Sequence, residues 1–385
     1  MSVQSITKYC TGCRTCEQLC SQGAIRMISD KEGFLTANIN NEKCIECGLC
    51  LKRCPQNVMV EKNTPLQSLA VRDKNIEELY NSASGGAFVV AARKILEHGG
   101  VVIGAAYNDD MSVSHIIVDQ LENLQKLQSS KYVQSNTEHT YSQVKELLKN
   151  NRLVLYSGTP CQISGLKLFL KKQYDNLYTM DLICHGVPSP KLFAKYIDWM
   201  GQKMNGRIIT YNFRDKSCGW GLDYMTKTKT KTKTNPTSLD PYYYHFLKGT
   251  TYRECCYNCN YCQKERVSDI TIGDYWGIEK EHPHFYSPNG VSCLLINTEK
   301  GRKLWNLVSN DFFSLESSFD KIAKYNHNLI YPTKRKSLRD TIYQHIDEMD
   351  CGDFFSTQLK IPFNLKTRIK KIFPKWIKIL IKKYR

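Results

Sequence analysis

"CTGCRTCEQLC" at residues 10–20 and "CIECGLCLKRC" at residues 44–54 decide how this chain is read. Both follow Cys-x2-Cys-x2-Cys-x3-Cys, at Cys10, Cys13, Cys16, Cys20 and again at Cys44, Cys47, Cys50, Cys54. The likeness runs on into "CSQGAI" and "CPQNVM", so the segment is an internal duplication with a period of about 34 residues. Seventeen cysteines in 385 residues would suggest disulfides in a secreted chain. The start, "MSVQSITKYC", has neither the basic nor the apolar region of a signal peptide, so the expected compartment is reducing cytoplasm. There, clustered cysteines are more often metal ligands or redox groups.

The arrays resemble bacterial two-cluster ferredoxins. Three thiolates two residues apart wrap one face of an iron-sulfur cube, and the fourth points to the other cube. The resemblance implies a first [4Fe-4S] cluster on Cys10, Cys13, Cys16 and Cys54, and a second on Cys44, Cys47, Cys50 and Cys20. Zinc prefers closed tetrahedral sites made of Cys-x2-Cys pairs and fits this pattern poorly. Ser21 departs from the family, where a proline usually follows the first array; Pro55 keeps it after the second. Residues 1–62 are therefore expected to form a two-cluster ferredoxin domain, followed by a linker, "EKNTPLQSLAVRDKNIEELYNS".

A length of 385 residues suggests two or three domains. The net charge of +17 invites a nucleic-acid reading, but it is localised. The final 32 positions carry ten Lys or Arg and no acid, which leaves +7 for everything before them. Four more lysines sit in "TKTKTKTKT", residues 226–234, whose period of two fits a solvated edge strand. No nucleic-acid partner is expected. No apolar run reaches spanning length; "GGAFVVAARKILEHGGVVIGAAY" is broken by Arg93, Lys94, Glu97 and His98. The end, "LKTRIKKIFPKWIKILIKKYR", reads as a basic amphipathic helix suited to a partner protein or an anionic membrane surface. The expected location is cytoplasmic, with a peripheral contact at the inner face of the membrane.

The body alternates strand and helix patterns. "GGVVIGAAY", "SVSHIIVD", "RLVLYSG" and "NLYTMDLIC" read as strands, and "SGGAFVVAARKILEHG", "TYSQVKELLKNN", "QISGLKLFLKKQY" and "SPKLFAKYIDWMGQK" as helices. This predicts an α+β or α/β protein: a ferredoxin-like domain, then a mixed α/β domain with a largely parallel sheet. The second domain is expected over 70–330, with parts at about 70–150 and 151–330, and a helical basic tail over 331–385. The turns "SASGGAF" and "SGTPCQ" place hydroxyls and glycine at helix starts, where backbone N–H groups can hold phosphate. Such turns also cap helices everywhere. No G-x-G-x-x-G fingerprint or P-loop is present in the body.

The ordered series "SGGAF", "GGVVIGAAY", "SKYVQS", "YSGTPCQISGLK", "DLICHGVPSP", "FRDK" with "GWG", and "RVSDITIGDYWGI" resembles the coenzyme F420 hydrogenase/dehydrogenase beta-subunit family across residues 70–300. The resemblance implies an iron-sulfur flavoprotein oxidoreductase that passes electrons between clusters and FAD, and between FAD and an acceptor. It places FAD contacts at Ser84, Gly85 and Gly86, at Ser130, Lys131 and Tyr132, and at Ser157, Gly158 and Thr159. It also implies a third [4Fe-4S] cluster on Cys161, Cys184, Cys256 and Cys259. Local spacing instead groups Cys256, Cys259 and Cys262, and a zinc knuckle over Cys255 to Cys262 is the plainer alternative. The first set is preferred because it gives both isolated loop cysteines a role. Cys218, Cys293 and Cys351 read as small buried or surface thiols. His185 could donate a proton or tune the cluster, and Asp269 and Asp274 could hold a flavin-side hydrogen bond, but a structural imidazole and turn-capping carboxylates are the preferred readings, and no catalytic residue is assigned.

The expected partner is a redox protein or a small electron acceptor. Two other readings stay open: a non-catalytic electron-relay subunit, and a reductase accessory to surface-polysaccharide biosynthesis.

Overall fold

The computed structural model describes residues 9–363 together with 365, 373, 374, 376, 377 and 380. The amphipathic helix expected over the tail, with most of residues 364–385, lies outside the described residues.

The duplication is written into the backbone. In the first array Gly12 and Arg14 have φ of 73° and 63°; at the same positions of the second, Glu46 and Gly48 have 52° and 69°. Non-glycine residues rarely occupy this left-handed region. Here it turns successive N–H groups toward one point, as anion-binding loops do. Short helices follow at Thr15–Leu19 and Leu49–Lys52. Strands β1 (Ile25–Ser29) and β2 (Leu35–Ile39) pair antiparallel between the arrays.

Eight strands build the main sheet: β3 (Gln67–Asp73), β4 (Val101–Tyr107), β5 (Val113–Val118), β6 (Val154–Gly158) and β7 (Leu177–Leu182), then three later in the chain. Between these groups, β8 (Thr210–Asp215), β9 (Asp223–Lys227) and β10 (Thr232–Pro236) form a separate antiparallel sheet. The main sheet is completed by β11 (Ile270–Asp274), β12 (Ser292–Ile296) and β13 (Phe312–Ser317), in the order β13-β3-β12-β11-β7-β6-β4-β5. Pairs β4–β6, β6–β7 and β7–β11 are parallel. The remaining pairs are antiparallel, although β3 runs in the same direction as the central four.

The expected parallel sheet thus holds at the centre and gives way at the flanks. Strand β5 returns directly after β4 through a short turn, with no crossover helix to make it parallel. Every residue of β6 and β12 is buried, which is why both read as apolar runs without alternation.

Two expected boundaries move. The segment read as a linker contains β3 and the helix Ile76–Asn81, capped by Asn75, whose side chain accepts from the N–H groups of Glu77 and Glu78. Its β3 residues Leu69, Ala70 and Val71 are buried, so the body begins before residue 70. Likewise residues 331–359 are no appendage. Ile342, Tyr343, Phe354, Phe355 and Leu359 are buried in the same core as helix Pro190–Met204. The lysine-threonine repeat forms the β9–β10 hairpin: Thr226 and Thr228 are buried and Lys227 and Lys229 exposed, but the alternation reverses on β10, where Thr232 and Thr234 face out. Among the described residues, no helix is long and apolar enough to cross a membrane.

Candidate iron-sulfur and flavin site

Cys10, Cys13, Cys16 and Cys54 line one cavity, with Thr11, Arg14, Thr15, Met27 and Pro55 around them. Burial pushes the Cys13 and Cys16 thiols up, and the neighbouring thiols add to it. Cys54 is raised in the same way, to about 12. Four thiols gathered in apolar surroundings resist ionising together, and a bound cationic centre is what makes thiolates favourable there. The residues fit the first cluster. Cys10 Sγ accepts the Gly12 N–H at 3.3 Å, a donor supplied by the left-handed loop. Cys20, Cys44 and Cys50 pack together against Cys16, Cys54, Ile25, Ala37 and Ile39, while Cys47 is exposed. Cys20, the remote fourth cysteine of the second set, packs on the same small core as Cys44 and Cys50, and its Sγ accepts the Ala24 N–H at 3.3 Å.

The first array faces the body. Thr137 Oγ1 donates to the Cys13 carbonyl at 3.2 Å. Cys255 Sγ donates to the Cys10 carbonyl at 3.4 Å, and Arg253 Nε donates to the same oxygen. Helix Pro160–Leu170 approaches through Gly165, where a Cβ would stand 2.7 Å from Thr15 Oγ1 and 3.0 Å from Cys13 Cβ. The first turn of that helix carries Cys161.

Strands β3, β4, β6, β7 and β11 all end at one edge of the sheet, where open α/β sheets place their sites. The loop after β6 supplies Cys161 and the loop after β7 supplies Cys184. Cys161 is pushed well up by burial and then by Cys184, Cys259 and Cys255, although Thr159 Oγ1, 3.1 Å from its sulfur, works the other way. Burial, then Cys259, raises Cys184 to about 12. Cys256 feels Cys255, burial, Cys184 and Cys259. Cys184 and Cys259 thus lie within electrostatic reach of both Cys161 and Cys256, and Cys255 and Cys262 crowd the same place. Cys255 turns to the Cys10 carbonyl. Cys262 touches Cys259, lowering that thiol to about 7, and its own sulfur accepts from Asn328 Nδ2 at 3.9 Å. Among the described residues, no group of three His, Cys, Asp or Glu side chains is arranged to hold a single metal ion. Arg266, fully buried, pairs with Asp181 at 3.2 Å and donates to the Tyr261 carbonyl at 2.8 Å, fixing the chain just after these cysteines.

The nine expected FAD contacts fall along the same edge. At Ser84–Gly86 most polar groups already have protein partners: Ser84 Oγ donates to the Val291 carbonyl and the Gly85 N–H to Ser292 Oγ, both at 2.8 Å. Gly85 leaves no room for a Cβ, which would stand 2.3 Å from Val71 O. Lys131 closes its own loop, donating to the carbonyls of Lys126, Gln128 and Ser129, and burial lowers it to about 7. Tyr132 stacks on Phe246 at 4.4 Å, and the adjacent Ser130 is half-buried. The Ser157 carbonyl contacts His115 Nε2 at 3.1 Å, Gly158 faces the same ring, and Thr159 forms a capping box with Gln162. Burial lowers His115 to about 4. Among the described residues the Tyr107 hydroxyl is buried with no hydrogen-bond partner and the Tyr243 hydroxyl has none besides its approach to Tyr132, and their rings flank Lys131 and Tyr132. Orphaned donors beside an aromatic wall fit a polar ligand such as FAD.

Between these groups lies an ion pair that local spelling does not reveal. Arg214 forks Asp274 with two bonds of 2.6 Å and donates to Tyr132 OH at 3.2 Å. Trp220 Nε1 donates to Asp274 at 3.0 Å, and its ring stacks on Trp276 at 5.1 Å and 3°. Burial pushes the Asp274 carboxyl up, but the Arg214 charge outweighs it and holds the carboxyl below its ordinary range. The sequence favours a structural role for Asp274 over a flavin-side hydrogen bond and does not point to Arg214 as its partner. Asp269 does stay structural, accepting from the Thr179 N–H and hydroxyl at 2.8 and 2.7 Å. His185 is lowered to about 4 by burial, then by His327, which keeps it neutral.

Residues 151–320 match the family described as the C terminus of the coenzyme F420 hydrogenase/dehydrogenase beta subunit, and residues 9–58 match the 4Fe-4S dicluster domain. The matched segment 151–320 holds Cys161, Cys184, Cys256, Cys259, Arg214 and Asp274, while Ser84–Gly86 and Ser130–Tyr132 precede it. The chain is 24% identical over 315 residues to the coenzyme F420-dependent sulfite reductase of Methanocaldococcus jannaschii, covering 78% of this chain and 46% of that protein. A segment of 59 residues, 15% of this chain, is 34% identical to the ferredoxin-type protein NapF of Haemophilus influenzae, covering 34% of that protein. The chain spans less than half the length of these curated relatives. A solved structure of the F420-reducing [NiFe] hydrogenase complex from Methanosarcina barkeri aligns at a TM-score of 0.48 and 17% identity, over 74% of this chain and 93% of that one.

Lys216, from the "FRDK" motif of the family series, donates to the carbonyls of Leu79, Ser84 and Asn289 at 2.6 Å each. Burial, then the Arg214 charge, lowers it to about 7. The unfolded chain binds its proton up to about pH 10.4, so the native state gains stability relative to the unfolded state as pH rises from about 7 to 10. The thermal midpoint of the wild type minus that of Lys216→Met is expected to climb over this interval. A difference independent of pH would show that the amine keeps an ordinary affinity for its proton.

Proposed function

We propose that this chain is an iron-sulfur flavoprotein oxidoreductase, holding three [4Fe-4S] clusters and one FAD and exchanging electrons with a redox protein or a small acceptor. The observation that carries the reading is convergence at one sheet edge. The loops after β6 and β7 bring Cys161 and Cys184 to the cysteines near residue 259, against the first array. The same edge presents Tyr132, Arg214 and Asp274. Bound clusters would supply one-electron chemistry and bound FAD the exchange between single electrons and pairs.

The chain's own residues hold and orient. Cys10, Cys13, Cys16 and Cys54 would ligate the first cluster, Cys20, Cys44, Cys47 and Cys50 the second, and Cys161, Cys184, Cys256 and Cys259 the third. Arg214 and Asp274 would fix the aromatic wall against which flavin rests, and the buried Tyr107 and Tyr243 hydroxyls would donate to it. A contact between the basic tail and an anionic membrane surface belongs to the same proposal and rests on the sequence pattern.

Iron, sulfide and flavin quantitation on protein purified without oxygen tests the proposal. About twelve irons and one FAD per chain are expected. About eight irons would remove the third cluster, and iron without flavin would favour a non-catalytic electron relay.

A further inference from the structure

We infer that Arg253 is the charge partner of the cluster on Cys10, Cys13, Cys16 and Cys54, and that it raises the reduction potential of that cluster above its value without the charge. The inference rests on the ferredoxin reading of these cysteines. Arg253 is 5% exposed and joins the two sides of the domain contact: its Nε donates to the Cys10 carbonyl, and its own carbonyl accepts the Cys256 N–H at 2.9 Å. Its guanidinium lies over the Phe34 ring at 5.3 Å, and its Nη1 is buried without a hydrogen-bond partner. Nη1 would stand 3.2 Å from a Cβ on Gly12, inside the first cysteine loop.

A guanidinium stays protonated at any working pH, and a buried charge is costly unless something anionic answers it. Three of the four carboxylates in the cleft beside it answer other cations. Glu32 pairs with Arg339, Glu254 with Arg335 and Arg339, and Asp340 with Arg335. Asp30, in the same cleft, accepts the Phe34 N–H at 2.9 Å. Arg14, the other arginine of the first loop, pairs with Glu17. Arg253 thus lies against the backbone of the first cysteine loop and beside Cys255, with no carboxylate paired to it among the described residues. Four thiolates make a cluster site net anionic, and an unscreened buried cation favours its more negative, reduced form. Around the second array, Lys43 and Lys52 are exposed, where water and salt screen them.

The test is an EPR-monitored redox titration of the full reconstituted chain as wild type, Arg253→Gln, Arg253→Lys and Lys52→Gln. In Arg253→Gln at full iron content, one ferredoxin-type signal is expected to lose about tenfold in its reduced-to-oxidised ratio at fixed potential, equivalent to about 59 mV for one electron. Arg253→Lys should keep most of the wild-type ratio, and Lys52→Gln all of it. Three results would overturn the inference: an unchanged ratio in Arg253→Gln, an equal shift in Arg253→Lys, or loss of iron in both Arg253 variants, which would make the residue a folding element. A wild-type chain showing no cluster signal would instead refute the ferredoxin reading beneath it.

Discussion

Cys161→Ser, purified and reconstituted without oxygen, is expected to lose about four of about twelve irons while both ferredoxin-type clusters remain. It should also lose transfer between those clusters and bound flavin, read as flavin that dithionite reduces and a one-electron protein donor no longer does. The expectation follows from burial and crowding. The Cys161 thiol is pushed up by its surroundings and by Cys184, Cys259 and Cys255, so it has no use as a free nucleophile at neutral pH. Serine preserves the size of the side chain and its place beside Thr159, so the helix start should survive. Cys262→Ser makes the contrast. Cys262 touches Cys259 and is held by Asn328, and the proposed set does not use it, so full iron content is expected. Loss of four irons from Cys262→Ser and none from Cys256→Ser would exchange those two ligands. Full iron content and coupling in Cys161→Ser would leave that residue a thiol in a turn.

The parts of this site that could be read from the sequence are those whose information is local. The cysteine arrays show in their repeated spacing, and the repeated left-handed residues at 12, 14, 46 and 48 show that the repeat is also one of backbone shape. Central strands were legible because "RLVLYSG" and "NLYTMDLIC" are apolar runs between helices. Strand β3 was not, because "QSLAVRD" mixes polar ends with a short apolar centre, and its partners β12 and β13 come more than 200 residues later. The Arg214–Asp274 pair escaped for the same reason. Each residue lay inside a motif already quoted, but 60 positions separate them, and neither spelling says that a guanidinium and a carboxylate meet. Lys131 shows the converse. Its position drew attention as the one cation in the flavin series, whereas its three carbonyl contacts are all within five residues of it.

Asp274→Asn is expected to abolish stoichiometric FAD retention and to lower the thermal midpoint by about 5 °C. The Arg214 side chain is 1% exposed, so removing the carboxylate leaves a buried charge answered by neutral groups: the Gly221 carbonyl, the Tyr132 hydroxyl, the Trp276 ring and the new amide oxygen. Breaking such a pair from one side costs about 3–5 kcal/mol, most of it the burden of the orphaned partner. Neutralising both sides is different. Arg214→Gln with Asp274→Asn removes the orphan, and most of the lost thermal stability should return. Flavin should not return with it, because the fork that holds Trp220, Trp276 and Tyr132 in one wall is gone. The double variant therefore separates two roles that the single variant mixes. Recovery of stability without flavin assigns the pair to the flavin site. Recovery of both would make the pair a structural staple and move the flavin contact elsewhere along the edge, toward His115 and Thr159.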